Sequence, residues 1–521
     1  MYTISRNLRI TAILLIILGG IGIAVGFMQA PKTIEQAQEI IAKNSEHGGH
    51  SEAHGAAHTS GHGDTHAASK EVAHKDAAHT EETKHEGVAH ENVAHKVDTI
   101  KKAVDTVEVA AADVKSSESI VAKDTAVAPV DPVAHENAAK KGVHAAHDDH
   151  AAHQAHLEHQ FHQLQNKPWA ALYVACIFVM LISLGVLVFY AIQQVAQAGW
   201  SPVLFRVMQG ITAYLPVGSI IFFVILVLSA MHFNHLFVWM DEEVVKNDKL
   251  IQGKAGYLNP TFWLIRAAIF LIGWNLYRYL SRKNCLAQDA ASDDSFYKKN
   301  FKLSAGFLVF FIVSESIMAW DWIMSFDPHW FSTLFGWYVF ASFFVSGITT
   351  IALVTLYLQS VGELKFVNSS HVHDLAKFMF GISVFWTYLW FSQFMLIWYA
   401  NIPEEVTYFV QRIEDYNLPF FGMLVMNFLF PLLILINTDF KRVKWVIVMA
   451  GIVILLGHYV DFFNMIMPSA VGDQWFIGIP EIGALMFFVG LFLLVVFTAL
   501  GKADLLVKRN PFIEESKHFH Y

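Results

Sequence analysis

The chain is 521 residues long; 55% of them are apolar and only 16% are charged, where a soluble domain carries about a quarter. This excludes a single water-soluble globule, and the formal net charge of −9 leaves no basic surplus of the kind nucleic-acid binding needs. Two isolated cysteines, Cys176 and Cys285, form no CxxC or CxxCH spacing. This excludes an iron–sulfur or c-type haem motif in this chain and leaves them as small buried or near-surface thiols.

A hydrocarbon core about 30 Å thick is crossed by roughly 20 apolar residues of helix. Stretches that meet this need run approximately 8–28, 169–190, 212–238, 260–280, 303–324, 332–358, 375–400, 418–437, 445–467 and 479–500. They are too long for barrel strands and lack apolar–polar alternation. The expected fold is therefore an all-α polytopic membrane protein with about ten transmembrane helices.

The first stretch follows Arg6 and Arg9, and Met28-Gln29-Ala30 is a poor cleavage site. Residues 1–30 therefore read as an uncleaved membrane helix. Residues 31–165 follow as a polar loop, 166–505 as the membrane domain and 506–521 as a tail. Within the loop, residues 46–165 hold most of the 27 histidines among Ala, Glu and Lys, with almost no large apolar residue. Such a composition cannot bury a core. One reading is a set of imidazoles that holds Zn²⁺ or Cu²⁺ or buffers protons; the other is a solvated spacer. Residues 151–159 have a helix-forming composition that would extend the second membrane helix.

Positive charge sets the orientation. With the N-terminus in the cytoplasm, the even-numbered connections carry Arg278, Arg282, Lys283, Lys298, Lys299 and Lys302, then Lys365, then Lys441, Arg442 and Lys444, and the tail adds Lys502, Lys508 and Arg509. The other side carries Asp241, Glu242, Glu243, Glu404, Glu405, Glu414 and Asp415. Both termini are thus predicted in the cytoplasm of a bacterial cell, with the histidine-rich loop on the periplasmic side of the inner membrane.

Ionisable groups within membrane helices are costly and point to function. The third stretch holds His232 and His235, followed by Asp241; the fifth holds Glu315 and Asp321; the ninth holds His458 and Asp461. His458 and Asp461 are three residues apart and share a helix face. At 1.5 Å per residue, Glu315 and His458 fall near mid-membrane and the others further out. Together they suggest a ladder of proton-handling groups from the midplane to the outer surface. The plain alternative is that each is hydrogen-bonded within a helix interface. Three embedded histidines do not supply the paired ligands of two b-type haems.

Several runs carry a resemblance: 200–208 (WSPVLFRVM), 231–241 (MHFNHLFVWMD), 320–340 (WDWIMSFDPHWFSTLFGWYVF), 374–381 (DLAKFMFG) and 393–405 (QFMLIWYANIPEE). Over about 166–500 the chain resembles the NrfD/polysulfide-reductase membrane-subunit family, and within it the subunits of alternative complex III. The resemblance implies two four-helix bundles plus peripheral helices. It also implies a menaquinol-oxidising respiratory complex, with haem and iron–sulfur centres in partner subunits and no redox centre held here. The implied partners are a sister NrfD-like subunit, an iron–sulfur subunit, multihaem and monohaem cytochrome subunits and a terminal oxidase. The region matching the family's quinol site includes His232, His235 and Asp241. The proton-path candidates are Glu315, Asp321, His458 and Asp461. Two rivals stand beside this reading: a secondary transporter and a purely structural subunit.

Overall fold

The computed structural model describes residues 2–47, 133–473 and 475–520. Residues 48–132, most of the histidine-rich loop, lie outside the described residues, so neither reading of that loop is addressed. The helices are α1 (Arg6–Gln29), α2 (Ile34–His47), α3 (Val133–Val195), α4 (Phe205–Ile211), α5 (Leu215–Ala230), α6 (Glu242–Asn247), α7 (Lys249–Lys254), α8 (Pro260–Gln288) and α9 (Ser295–Trp322). They continue as α10 (Phe335–Ser360), α11 (Ser369–Ala400), α12 (Pro403–Glu414), α13 (Asn417–Leu424), α14 (Phe430–Leu435), α15 (Lys444–Val471), α16 (Ile479–Leu500) and α17 (Ile513–Lys517). Among the described residues there is no strand. With no water in a bilayer core to satisfy open backbone groups, helices whose amides bond internally are what such apolar runs must form.

Nine segments of the described residues are long and apolar enough to cross a membrane. The chain is an all-α polytopic membrane protein. The remaining expected span, 260–280, is the continuous 29-residue helix α8, whose apolarity is diluted by Arg266, Asn275 and Arg278.

The spans form two four-helix groups. In the first, α8 packs on α9 and on α5. Helix α3 joins through the Tyr173 hydroxyl, which donates to the Trp322 carbonyl at 2.7 Å. In the second, α10 packs on α11 and α15, with the α13–α14 segment against α15 and α11. The groups meet where Gly185 of α3 lies against the Phe343 backbone and Gly347 of α10 against the Val186 backbone. Any side chain at either glycine would collide with main chain. Peripheral to both, α1 packs along α16 through Gly19, Gly22, Gly483 and Gly490, the small-residue contact by which membrane helices approach closely.

Alternating helices gather the connections at two ends. At one, here the acidic end, His329 meets Asp248 at 2.5 Å and Asn166 bonds the His235 carbonyl at 2.9 Å. The Trp330 indole there donates to the Glu405 carbonyl at 3.2 Å. At the basic end, Asn368 donates to the Phe519 carbonyl at 2.6 Å, and Ser516 to the Trp200 carbonyl at 2.6 Å.

Two expectations need correcting. The third span was expected to continue to residue 238, but α5 stops at Ala230 and His232 takes a left-handed φ of +60°. His232 and His235 are therefore exposed on a loop rather than aligned on a helix face. The eighth span is not a plain helix. A π-turn at Val425–Leu429 separates α13 from α14, just before Pro431, where the ring removes an amide donor.

Candidate functional site

Asp461 and His458 lie on α15, both fully buried in the second four-helix group. An ionised carboxylate in such a place is costly unless it accepts several hydrogen bonds. Three neighbours provide them. The Tyr338 hydroxyl donates to Oδ1. Ser342 Oγ donates to Oδ2 at 2.7 Å, and Trp386 Nε1 donates to the same oxygen at 2.8 Å. Tyr338 and Ser342 are four residues apart on α10, and Trp386 comes from α11.

His458 Nδ1 lies 2.9 Å from Ser342 Oγ and 3.5 Å from Asp461 Oδ2. With its hydrogen committed to Asp461, Ser342 can only accept from the imidazole. That places the neutral ring's proton on Nδ1 and leaves Nε2 as the free acceptor. Nε2 is buried without a hydrogen-bond partner. Protonating it would create an imidazolium directly beside a carboxylate. Asn427, within the π-turn, is also fully buried against this ring, 3.4 Å from Nδ1.

Toward the acidic end, Tyr338 lines a small cavity shared with Gln393, Arg412 and Asn464. Its volume of about 10 Å³ is close to the minimum that admits one water. Arg412 is buried there, donating to the carbonyls of Tyr408 (2.8 Å) and Asn464 (2.9 Å), with its guanidinium over the Tyr408 ring. The arrangement is a row of exchangeable protons, Tyr338, Asp461, Ser342 and His458, with a cation near one end.

The other ionisable groups do not join this row. Asp321 is held in the first four-helix group by Arg266, which donates to its two carboxylate oxygens at 2.6 and 3.0 Å. The guanidinium lies 4.0 Å from the Tyr257 ring centroid and 4.3 Å from that of Phe262. Glu315 is buried on α9, where one carboxylate oxygen accepts from Ser316 at 3.2 Å and the other has no partner. The four groups thus occupy three separate settings rather than one ladder. At the acidic end, the exposed His235 ring lies 4.6 Å from that of His162. Asp241 accepts the Glu243 amide at 3.1 Å as the N-cap of α6.

Sequence reasoning did not single out Tyr338, Ser342, Trp386 or Arg412. Their signal is weak, because hydroxyls in membrane helices commonly bond their own i−4 carbonyl, as Ser346 and Thr350 do here at 2.8 Å each. Among the described residues no three His, Cys, Asp or Glu side chains stand close enough to hold a metal.

No family model matches the chain, and a search of curated proteins gives no match. Fold and site define a class: a multi-pass helical membrane protein with a fully buried, hydrogen-bonded carboxylate–imidazole pair in one helix bundle and a buried arginine–carboxylate pair in the other.

Proposed function

We propose that this chain is an integral membrane subunit of a respiratory quinol:electron-acceptor oxidoreductase of the alternative complex III kind, where it serves as the second NrfD-like subunit. It lies in a bacterial inner membrane with both termini cytoplasmic and the histidine-rich loop periplasmic. Menaquinol oxidation releases electrons and protons. The electrons pass to iron–sulfur and haem centres in partner subunits, and this chain handles protons. The observation that carries the reading is the buried Asp461–Ser342–His458 arrangement, an acceptor nitrogen and a carboxylate bridged by a hydroxyl inside the bilayer.

In this reading His458 Nε2 takes up a proton and Nδ1 passes one through Ser342 to Asp461. Tyr338 hands it toward the cavity beside Arg412, whose fixed charge repels its return. The exposed imidazoles of His232 and His235, with Asp241 nearby, are the quinol-side candidates. Asp321, engaged at both carboxylate oxygens by Arg266, acts in this reading as a structural ion pair of the first bundle.

The test is quinol:acceptor turnover and proton release in the purified complex, comparing wild type with Asp461→Asn, His458→Ala and Glu315→Gln after verifying assembly. Collapse in the Asp461 and His458 variants supports the relay. Normal turnover and proton release in all three intact complexes would leave this subunit as a scaffold.

A further inference from the structure

Helix α8 carries two arginines one turn apart, Arg278 and Arg282, near the basic end. Both lie on the flank turned toward α4 and α5. Asn275, on the same flank, donates to Ser219 of α5 at 2.9 Å, and Arg282 donates to the Gln209 carbonyl of α4 at 3.3 Å. Among the described residues neither arginine has a carboxylate within ion-pair distance. The nearby acid, Asp289, is taken by Arg206. Arg278 Nε is buried without a hydrogen-bond partner. Two half-buried like charges on adjacent turns repel each other, so this flank is short of an anion.

The depth of the pair indicates which anion. Tyr277 bonds Ser304 of α9 at 2.8 Å, so Lys302 stands at the level of the arginine pair, and Lys283 is exposed just beyond it. On the other side of that level the exposed surface of α8 is apolar, formed by Ile265, Ile269, Ile272 and Leu276, with Tyr279 at the boundary. The neighbouring α5 exposes Ile220 and Val224. A surface that passes from aliphatic through tyrosine to lysine marks the edge of the hydrocarbon layer. Arginine pairs set between helices at that edge bind acidic headgroups.

We infer that Arg278 and Arg282 hold the phosphate of one acidic phospholipid beside the contact between α8 and α5, with its acyl chains along the adjoining aliphatic surface. A free phosphate would have the same headgroup chemistry but would leave that surface unused. An acidic segment of a partner subunit would be a different occupant.

The protein is purified from membranes with the partners it carries and stripped of loosely bound lipid in neutral detergent. Phosphatidylglycerol or phosphatidylcholine is then added back, and retained lipid is counted by native mass spectrometry. Wild type is expected to retain a phosphatidylglycerol that phosphatidylcholine does not replace. Arg278→Gln combined with Arg282→Gln should weaken that preference roughly thirtyfold, while Lys283→Gln keeps the bound lipid. If the double variant does not fold, the wild-type preference alone decides, and equal retention of the two lipids overturns the proposal. It is also overturned if inorganic phosphate at millimolar concentration displaces the lipid, or if cross-linking places an acidic partner segment on Arg278.

Discussion

The Trp386 indole N–H donates to Asp461 Oδ2 at 2.8 Å, while the same ring stands edge-on to His458 at a centroid distance of 5.3 Å. One aromatic side chain from α11 therefore contacts both members of the buried pair on α15. Trp386→Phe keeps most of the packing and removes one donor to the carboxylate. It is expected to cost about 2 kcal/mol of stability, and Tyr338→Phe a similar amount. Unfolding of the purified protein in a denaturing-detergent titration measures both. A neutral result for each would mean that the remaining donors, Ser342 among them, satisfy Asp461 without the one removed.

Arg266 and Asp321 form the second buried pair. Removing either partner alone leaves an unpaired charge in the first bundle, so Arg266→Met and Asp321→Leu should each cost about 3–5 kcal/mol. The double replacement should recover most of that loss. The same titration, run as a double-mutant cycle, gives the coupling directly.

Where α1 crosses α16, a Cβ at Gly19 would lie 2.4 Å from the Phe487 amide nitrogen and 2.6 Å from the Gly483 carbonyl oxygen. Gly19→Val is therefore expected to separate the two helices and raise hydrogen exchange along α1. Gly20→Val, where a Cβ would meet only Phe487 Cδ2 at 4.0 Å, serves as the control and should leave exchange unchanged.

Asp248 caps α7 outside the membrane spans. The Ile251 amide and then the His329 side chain hold its carboxyl below the usual carboxylate range. A depressed acid stabilises the fold above its unfolded pKa, ~3.9 for aspartate, and that contribution fades as pH falls through the folded value. Protection of the 249–254 amides from exchange should therefore be lost on acidification below that range. Asp248→Ala should abolish the pH dependence.

The membrane spans were legible because a run of about twenty apolar residues has one stable solution in a bilayer. The His458–Asp461 pairing was legible because a spacing of three residues on a helix puts both side chains on one face. What surrounds that pair was not, because Ser342 and Trp386 come from two other helices and look like ordinary packing residues within their own. The end of α5 was missed for a local reason. The run after Ala230 contains no glycine or proline, and the left-handed turn falls on His232, a residue type that tolerates that conformation more often than most. The charge of Arg266 within α8 is met by Asp321 from the neighbouring helix, a partner that the sequence of α8 alone does not reveal.

The glycine-lined seam between α1 and α16 joins segments separated by most of the chain. During synthesis α1 reaches the bilayer long before α16 exists, and until then its small-residue face has only lipid against it. The seam can close only after every intervening span has been made, so it belongs to a late stage of assembly. A truncation that removes α16 would leave both bundles with their own contacts while stranding α1. A lesion in the seam would accordingly appear as slow or incomplete maturation in the cell before it appeared as lost bundle structure.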